Sequence, residues 1–258
     1  MSSIISETDG SVLKIKLNRP DKFNSFNREM ALQLQQGLDN AAADKNIRAV
    51  YITGEGKAFC AGQDLTEAID PSGPNIEKIV SEHYNPIIKK IRNMEKPVVC
   101  AVNGVAAGAG ANIAIACDIV VAASSATFIQ AFSKIGLIPD SGGTFFLPRL
   151  VGLQKASALM MLGEKISAVD ALQMGMIYKI FDDDKLQTEA IIIAKTLANM
   201  PTKGIGLTKR LLNESLFNSL EKQLENEKKS QVEATLTYDY KEGVKAFLEK
   251  RKPEFKGE

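Results

Sequence analysis

Four short apolar runs, rich in β-branched residues, constrain the fold of this chain most strongly. They are Ala49–Thr53, Pro97–Val102, Ile119–Ala122 and Ala126–Ile129. Runs of this length and composition are typical of buried strands. Because helical stretches lie between them, the chain up to about residue 145 predicts an α/β core.

Two amphipathic patterns precede these runs. The segment Leu13–Leu17 alternates leucine or isoleucine with lysine, which is the period of a half-buried strand. Asn27 then stands where it can cap a helix whose apolar stripe runs from Met30 to Ala41. Both patterns predict elements that cover the core.

From Gln154 onward the pattern becomes helical. Ser167 and Asp170 have the spacing of a capping box, and Pro201 closes the third helix. We therefore divide the chain into a core of residues 1–200 and a helical C-terminal region of residues 201–258. The predicted helical segments are Gln154–Leu162, Ala168–Met174, Lys185–Met200, Gly204–Phe217 and Ser219–Lys250 with a break.

Composition excludes several classes of protein. Apolar residues make up 45% and charged residues 24% of the 258, which is typical of a globular domain. The formal net charge of +1 argues against a nucleic-acid partner. No run approaches the roughly 20 apolar residues that cross a bilayer, and Met1–Gly10 lacks the apolar centre of a signal peptide. We expect a cytoplasmic protein with no membrane partner.

The cysteines and the single histidine do not predict a metal site. Cys60, Cys100 and Cys117 are widely spaced within apolar stretches, which indicates buried, reduced thiols. His83 lies in a polar stretch, and we expect it at the surface or beside a substrate. The surrounding segment Asp64–Glu82 contains two prolines and a glycine, and it predicts a mobile loop that flanks a site.

A glycine-rich junction follows the second of the buried runs. The segment Asn103–Asn112 contains Gly108 and Gly110 on either side of Ala109, directly before an apolar helix. Free N–H groups at the start of such a helix suit a developing oxyanion, although a tight packing turn explains the segment equally well. Neither a dinucleotide fingerprint nor a phosphate-binding loop is present.

Two further segments carry polar groups next to small residues. Phe59–Leu65 offers the backbone N–H of Gln63 as a second donor, although such a segment is often a plain loop. Gly136–Thr144 places Asp140 in a glycine-rich turn between apolar runs. Its carboxylate is either a turn cap or a base whose pKa is raised by apolar surroundings. The candidates for those surroundings are Phe128, Ile129, Phe132, Ile138, Phe145 and Phe146.

These segments, in this order, resemble the enoyl-CoA hydratase/isomerase family, also called the crotonase superfamily. The resemblance runs from Leu17-Asn-Arg-Pro20 to Phe247-Leu-Glu-Lys-Arg-Lys-Pro-Glu-Phe255. It implies an α/β fold built as a spiral of ββα turns, followed by a helical C-terminal region that mediates trimerisation. The expected assembly is a homotrimer or a dimer of trimers.

The resemblance also implies roles for individual residues. The backbone N–H groups of Gln63 and Ala109 would form an oxyanion hole that polarises the thioester carbonyl of an acyl-CoA. The positions expected to contact the substrate or its coenzyme A portion are Ala61, Asp64, Leu65, Asn112, Phe132, Lys209, Phe247 and Lys250. Lys209 is equally consistent with a solvated lysine.

The same resemblance bears on the reaction. Family hydratases activate water with two glutamates, and the matching positions here hold Asn112 and Phe132, neither of which is a base. Asp140 remains as a single acid/base, which predicts an isomerase with no metal or redox cofactor, coenzyme A being part of the substrate.

Within the family, the chain is most similar to the isomerases of phenylacetate degradation, which convert ring-1,2-epoxyphenylacetyl-CoA to oxepin-CoA. A 3,2-trans-enoyl-CoA isomerase is the main alternative. An enoyl-CoA hydratase and an acyl-CoA-binding protein without catalytic activity are the remaining ones.

Overall fold

The structure is a computed structural model that describes residues 2–258; Met1, the first residue of the predicted core, lies outside the described residues. The strands are β1 (Ile4–Asp9), β2 (Val12–Leu17), β3 (Ala49–Gly54), β4 (Ala58–Cys60), β5 (Val98–Val102), β6 (Val105–Ala107), β7 (Ile119–Ala123), β8 (Thr127–Ile129), β9 (Lys165–Ser167) and β10 (Lys179–Phe181). The helices are α1 (Arg28–Ala43), α2 (Leu65–Ala68), α3 (Ile76–Lys78), α4 (Asn85–Asn93), α5 (Ala109–Ala116), α6 (Gly143–Val151), α7 (Leu153–Leu162), α8 (Ala168–Gln173), α9 (Leu186–Ala198), α10 (Thr202–Ser215), α11 (Leu220–Thr235) and α12 (Tyr238–Leu248).

The strands form two sheets. The larger sheet has the order β1-β2-β3-β5-β7-β10, and all of its pairs are parallel except β1 with β2. The smaller sheet has the order β4-β6-β8-β9, in which only the β8–β9 pair is antiparallel. The chain enters the large sheet and then the small sheet three times in succession, with β3 and β4, β5 and β6, and β7 and β8.

Glycines allow the sharp passage from one sheet to the other. A methyl group on Gly54 would lie 2.4 Å from the carbonyl oxygen of Ala58. One on Gly104 would lie 2.1 Å from the carbonyl oxygen of Lys57. Since helices follow β4, β6 and β8, each turn of the chain is a ββα unit. The predicted spiral of ββα turns is confirmed.

Helices cover both faces of the large sheet. Ile15 of β2 approaches Gly37 of α1 on one face, whereas Tyr51 of β3 hydrogen bonds to Gln187 of α9 on the other. The side chain of Asn27 accepts the N–H of Met30, as the capping pattern predicts. The capping box at the start of α8 is also present.

The five strands predicted as β2, β3, β5, β7 and β8 are confirmed, and so is the helical pattern after Gln154. Two three-residue strands, β9 and β10, lie between these helices and were not predicted from the sequence. The segment Asp64–Glu82, predicted as a loop, instead holds α2, α3 and a π-helical turn at Ile79–Tyr84.

The burial of His83 also differs from what was predicted for this segment. Its side chain is buried, with 1% of the residue exposed, because the π-helical turn packs against α1. The ring Nε2 lies 3.2 Å from Nη1 of Arg28, and burial lowers the pKa of His83. Its predicted surface position is wrong.

The C-terminal region consists of α10, α11 and α12. Its separation from the core at residue 200 and its role in trimerisation stay predictions. Among residues 2–258, no helix combines the length and the apolar character that crossing a bilayer requires.

Candidate active site

Two backbone segments approach each other closely at the ends of β4 and β6. A methyl group on Gly110 would lie 2.4 Å from the carbonyl oxygen and 2.7 Å from Sγ of Cys60. One on Gly62, whose φ is +94°, would lie 3.0 Å from the Ala107 carbonyl oxygen and 3.6 Å from the Ala109 nitrogen. Glycine is therefore required at both positions, and the segment around Gly62 lies directly against the start of α5.

Each segment presents a backbone N–H that has no acceptor within residues 2–258. Gln63 forms a single parallel bridge with Phe26. The bridge uses the carbonyl of Gly62 and the N–H of Asp64, at 2.7 and 2.8 Å, and leaves the N–H of Gln63 unused. Ala109 is the first residue of α5, so its N–H has no intrahelical partner. Two donors on adjoining segments can stabilise negative charge on one oxygen atom.

The side chain of Gln63 is held from two sides. The hydroxyl of Tyr84 donates to Oε1 at 2.8 Å, and Nε2 donates to Oε2 of Glu67 at 3.1 Å. Glu67 also accepts the backbone N–H of Arg28 at the start of α1, at 2.9 Å. Burial, followed by nearby acidic groups that include Asp140, raises the pKa of Tyr84. Tyr84 therefore stays protonated and fixes the residue that carries the free N–H.

Asp140 lies in the turn before α6 and is half-buried. Ser141 Oγ donates to its Oδ1 at 2.8 Å, and Oδ2 receives no hydrogen bond from the described residues. No backbone N–H of α6 donates to the Asp140 side chain, so the carboxylate does not cap that helix. Burial raises the pKa of Asp140 above its usual value, and the bond from Ser141 opposes this only in part. Such a carboxyl group can accept and return a proton.

The side chains expected to surround Asp140 differ in their burial. Phe132 is buried, and its ring lies 3.7 Å from the position of a methyl group on Gly108. Ile138, in contrast, is 81% exposed. Within one chain, Ile138 therefore does not bury the carboxylate.

Asn112 corrects the expectation that it contacts the substrate. Its exposure is 0%. Nδ2 donates to the backbone carbonyl of Asp140 at 2.8 Å, and Oδ1 accepts from Nε2 of Gln130 at 2.8 Å. Both polar groups are thus engaged inside the protein, and the side chain ties α5 to the Asp140 turn.

Three predicted contacts lie on or beside the Gln63 segment. Ala61 and Leu65 are exposed and can meet a ligand. Asp64 is buried, with Oδ2 at 2.8 Å from Nη2 of Arg19 and Oδ1 accepting from Thr66. Burial acts to raise the pKa of Asp64, but the bonds from Thr66 and Arg19 outweigh it and hold that pKa below its usual value. Asp64 is therefore an ionised structural group that caps α2.

Lys209 is neither solvated nor free to bind a phosphate, contrary to both expectations for it. It is 6% exposed, and its ammonium group contacts Oδ2 of Asp118 at 2.7 Å and the carbonyl oxygens of Ile91 and Lys96 at 2.6 and 3.0 Å. Burial lowers the pKa of Lys209 against the opposing effect of Asp118. The side chain joins α10 to the core.

Phe247 and Lys250 lie at the end of α12, which packs against α11. Phe247 is 83% exposed, and Lys250 is exposed as well. Their predicted contact with coenzyme A stays a prediction.

Tyr84 and Gln130 have parts in this site that the sequence reading did not assign. Tyr84 follows the polar stretch that contains His83, and Gln130 follows a short strand, with no pattern that singles out either residue. No spacing rule predicts either contact, because both depend on how distant segments meet.

Comparison with known proteins identifies the family. A sequence model of the enoyl-CoA hydratase/isomerase family matches residues 7–258. The chain belongs to this family. It is accordingly an enzyme, and its predicted fold class is that of its relatives.

Individual relatives span more than one activity. Over its whole length the chain is 47% identical to the 1,2-epoxyphenylacetyl-CoA isomerase of Escherichia coli, 99% of which is covered. It is 34% identical to the 2,3-dehydroadipyl-CoA hydratase of the same organism, with all of both chains covered. A crystal structure of an enoyl-CoA hydratase from Polaromonas sp. JS666 superimposes with a TM-score of 0.91 at 35% identity, covering 98% of this chain and 99% of that one.

The raised pKa of Asp140 predicts how the Asp140→Asn variant responds to pH. A carboxyl whose pKa is higher in the folded than in the unfolded state contributes stability below the unfolded value of about 3.9, and this is lost as pH rises through the folded value. Asparagine stays neutral throughout. The free energy of unfolding of Asp140→Asn, relative to the unaltered enzyme, should therefore increase between about pH 4 and pH 7. Urea unfolding at both pH values measures it.

Asp170→Asn is the matched control, and its free energy of unfolding should change with pH in the opposite direction. The Ser167 hydroxyl and backbone lower the pKa of Asp170 in the capping box. This variant should therefore lose stability relative to the unaltered enzyme as pH rises, mostly below the unfolded value of about 3.9 and only slightly between about pH 4 and pH 7. A relative loss of stability for Asp140→Asn as pH rises would contradict the assigned burial effect.

Proposed function

We propose that this enzyme is an acyl-CoA isomerase that uses Asp140 as its single acid/base. The thioester carbonyl oxygen accepts hydrogen bonds from the N–H groups of Gln63 and Ala109. The observation that carries the proposal is the combination of these two donors, which lack acceptors in the described chain, with a half-buried carboxyl of raised pKa. Asn112 links the helix that begins at Ala109 to the Asp140 turn.

The proposed reaction is a proton transfer within the substrate. Asp140 takes a proton from a carbon near the thioester, and the electron pair of that C–H bond moves toward the carbonyl oxygen. The two N–H groups stabilise the resulting enolate charge. Asp140 then returns the proton to a different carbon. No electron is gained or lost, so the step needs no co-reactant.

Water addition receives less support. The positions that match the two hydratase glutamates hold Asn112, whose polar atoms are engaged in the protein interior, and Phe132. The nearby Glu67 accepts hydrogen bonds from Arg28 and Gln63. Those bonds occupy both carboxylate oxygens, which would otherwise be available to activate water.

For the substrate, we favour 1,2-epoxyphenylacetyl-CoA, converted to oxepin-CoA in phenylacetate catabolism in the cytoplasm. With this substrate, the ring C–C bond spanned by the epoxide oxygen opens to give the seven-membered ring, and the proton transfer shifts the double bonds, so no atom is gained or lost. The support is the 47% identity to the Escherichia coli isomerase over the whole chain. Ala61, Leu65, Phe132, Phe247 and Lys250 are the proposed contacts to the acyl-CoA. The alternative is a 3,2-trans-enoyl-CoA isomerase.

Replacing Asp140 with asparagine tests the base. We expect kcat to fall by about 10²-fold or more, because a positioned acid/base contributes 10²–10⁴-fold. Binding of the CoA ester should survive, since the amide is isosteric with the carboxyl group. Steady-state turnover of epoxyphenylacetyl-CoA and of a 3-enoyl-CoA, with isothermal titration of a CoA ester, measures both quantities.

The exposed Asp184 provides the control. Asp184→Asn makes the same carboxyl-to-amide change at a residue to which no role in the site is assigned. Equal turnover by Asp140→Asn and Asp184→Asn would eliminate Asp140 as the base. If the unaltered enzyme converts the 3-enoyl-CoA faster than the epoxide, the 3-enoyl-CoA becomes the favoured substrate. Hydration of crotonyl-CoA at a comparable rate would contradict the isomerase assignment.

Removal of the Ala109 N–H tests the oxyanion hole. Proline is tolerated at the first residue of a helix, so Ala109→Pro should fold while kcat falls by about 10²–10³-fold. Ala109→Gly keeps the N–H and should retain most of the turnover. A comparable loss in both variants would show that packing at this position matters rather than the donor. Circular dichroism verifies the fold of each.

We also propose that copies of this chain associate through the C-terminal helices, as a homotrimer or a dimer of trimers. A groove of about 820 Å³ lies between α10 and α11. Large apolar side chains are exposed along this region; they include Leu212, Phe217, Leu220, Leu224, Val232 and Leu236. Patches of this extent mark interaction surfaces.

Light scattering with size-exclusion chromatography tests this association. The unaltered enzyme should elute as a trimer or hexamer, and Leu224→Asp should shift the population toward monomer because it buries a charge in the interface. Lys45→Asp, on the exposed turn after α1, should leave the assembly unchanged. A monomeric unaltered enzyme would refute the proposal.

A further inference from the structure

A buried chain of side-chain amides ends on the backbone of Asp140. Gln130, which follows β8 and is 4% exposed, donates from Nε2 to Oδ1 of Asn112 at 2.8 Å. Asn112 in turn donates from Nδ2 to the carbonyl of Asp140 at 2.8 Å. Within the described residues, neither of the two side chains hydrogen bonds to the free N–H groups or to the carboxylate of Asp140.

The donor-to-acceptor direction of these hydrogen bonds is determined by the last acceptor, the carbonyl of Asp140. The Asp140 carbonyl can only accept, so Nδ2 of Asn112 must face it. Oδ1 of Asn112 then faces Gln130, whose Nε2 must donate. As a result, Oε1 of Gln130 is buried with no hydrogen-bond donor in the described residues. Both amides therefore donate along the chain in the direction of Asp140.

The chain of side-chain amides ends at the turn before α6, where the backbone is strained. Ser141 has a φ of +51° and Gly142 one of +74°, and a left-handed serine needs support from its surroundings. The Asp140 carbonyl also accepts the N–H of Gly143 at 2.8 Å. A methyl group on Gly143 would lie 2.4 Å from Nδ2 of Asn112. The amide of Asn112 thus packs directly on this turn, which also orients the Ser141 hydroxyl toward the Asp140 carboxylate.

We propose that Asn112 and Gln130 are positioning residues that hold the Asp140 turn in the orientation required for proton transfer. This inference rests on the proposed role of Asp140 as the acid/base. It assigns to Asn112 a function that involves no contact with substrate. A base displaced by about 1 Å loses up to 10²-fold in rate, so a bond to the backbone of Asp140 can govern turnover without affecting binding.

Three variants separate positioning from substrate binding and from simple packing. Asn112→Leu removes both hydrogen bonds, and we expect kcat to fall about 10- to 100-fold with KM within about twofold. Gln130→Leu removes only the outer bond and the unpartnered acceptor. It should lower kcat less, while the fold becomes no less stable. The double variant should match Asn112→Leu alone, because the outer residue acts through the inner one.

Asn112→Asp is the isosteric control and keeps the test valid if the leucine variant does not fold. It places an acceptor against the Asp140 carbonyl, so kcat near pH 7 should fall at least as far as in Asn112→Leu. The introduced carboxyl can donate once it is protonated, and the kcat of Asn112→Asp relative to Asn112→Leu should therefore rise as pH is lowered. A merely structural role would not produce this pH dependence.

The outcomes distinguish this inference from the proposed function. All variants are assayed with whichever acyl-CoA the unaltered enzyme converts fastest, alongside Asp140→Asn and urea unfolding. If Asp140→Asn is inactive while Asn112→Leu keeps its kcat, positioning is wrong and the base assignment stands. A rise in KM without loss of kcat would make Asn112 a binding residue. If Asp140→Asn remains fully active, the proposed function and this inference both fail.

Discussion

The close approach of two backbone segments, near Cys60 and near Gly110, is the constraint on which the site depends. Carbonyl oxygen and sulfur of Cys60 occupy the space that any side chain at residue 110 would need. Because strands β4 and β6 are paired in the same sheet, their ends bring two peptide groups together without any contribution from side chains. Donors fixed in this way do not have to reorganise when charge develops on a ligand, which is where their catalytic value lies.

Around this rigid centre the protein retains several arrangements that do not favour stability. The carboxylate of Asp140 is half-buried with a raised pKa, Ser141 has a left-handed backbone, and Gln130 keeps an acceptor without a partner. The three lie within one contiguous group of residues. Asn112 connects them, because it hydrogen bonds to both Gln130 and Asp140, and strained groups of this kind occur at functional sites.

Sequence patterns predicted β2, β3, β5 and β7 of the large sheet but not its two edge strands, β1 and β10, and the reason is physical. Runs such as Val98–Val102 are buried on both faces, so their composition reports their environment directly. Among the three-residue strands β8 was predicted, but Val105–Ala107 was not, because its alanines also suit a turn. The free N–H groups of Gln63 and Ala109 were located by family resemblance, because spacing alone left a packing turn equally open.

Single polar residues were the least predictable part of the site. Asn112 lies 18 residues from Gln130 and 28 from Asp140 along the chain, and no local pattern encodes those contacts. Lys209 reads as an ordinary lysine of an amphipathic helix, yet its ammonium group binds Asp118 and two carbonyl oxygens in the interior. Such contacts depend on tertiary packing, which hydrophobic periodicity does not describe.

The segment between α2 and the π-helical turn is anchored at both ends. Asp64 is held by Arg19 before it, and Tyr84 is fully buried after it. Ile69 and Ile76, in between, are exposed. A loop closed by fixed ends changes its closure free energy by only about 0.6 kcal/mol when its length doubles. Residues 69–78 can therefore be lengthened or replaced at little cost in closure free energy, while the anchored ends keep Gln63 and Tyr84 in place.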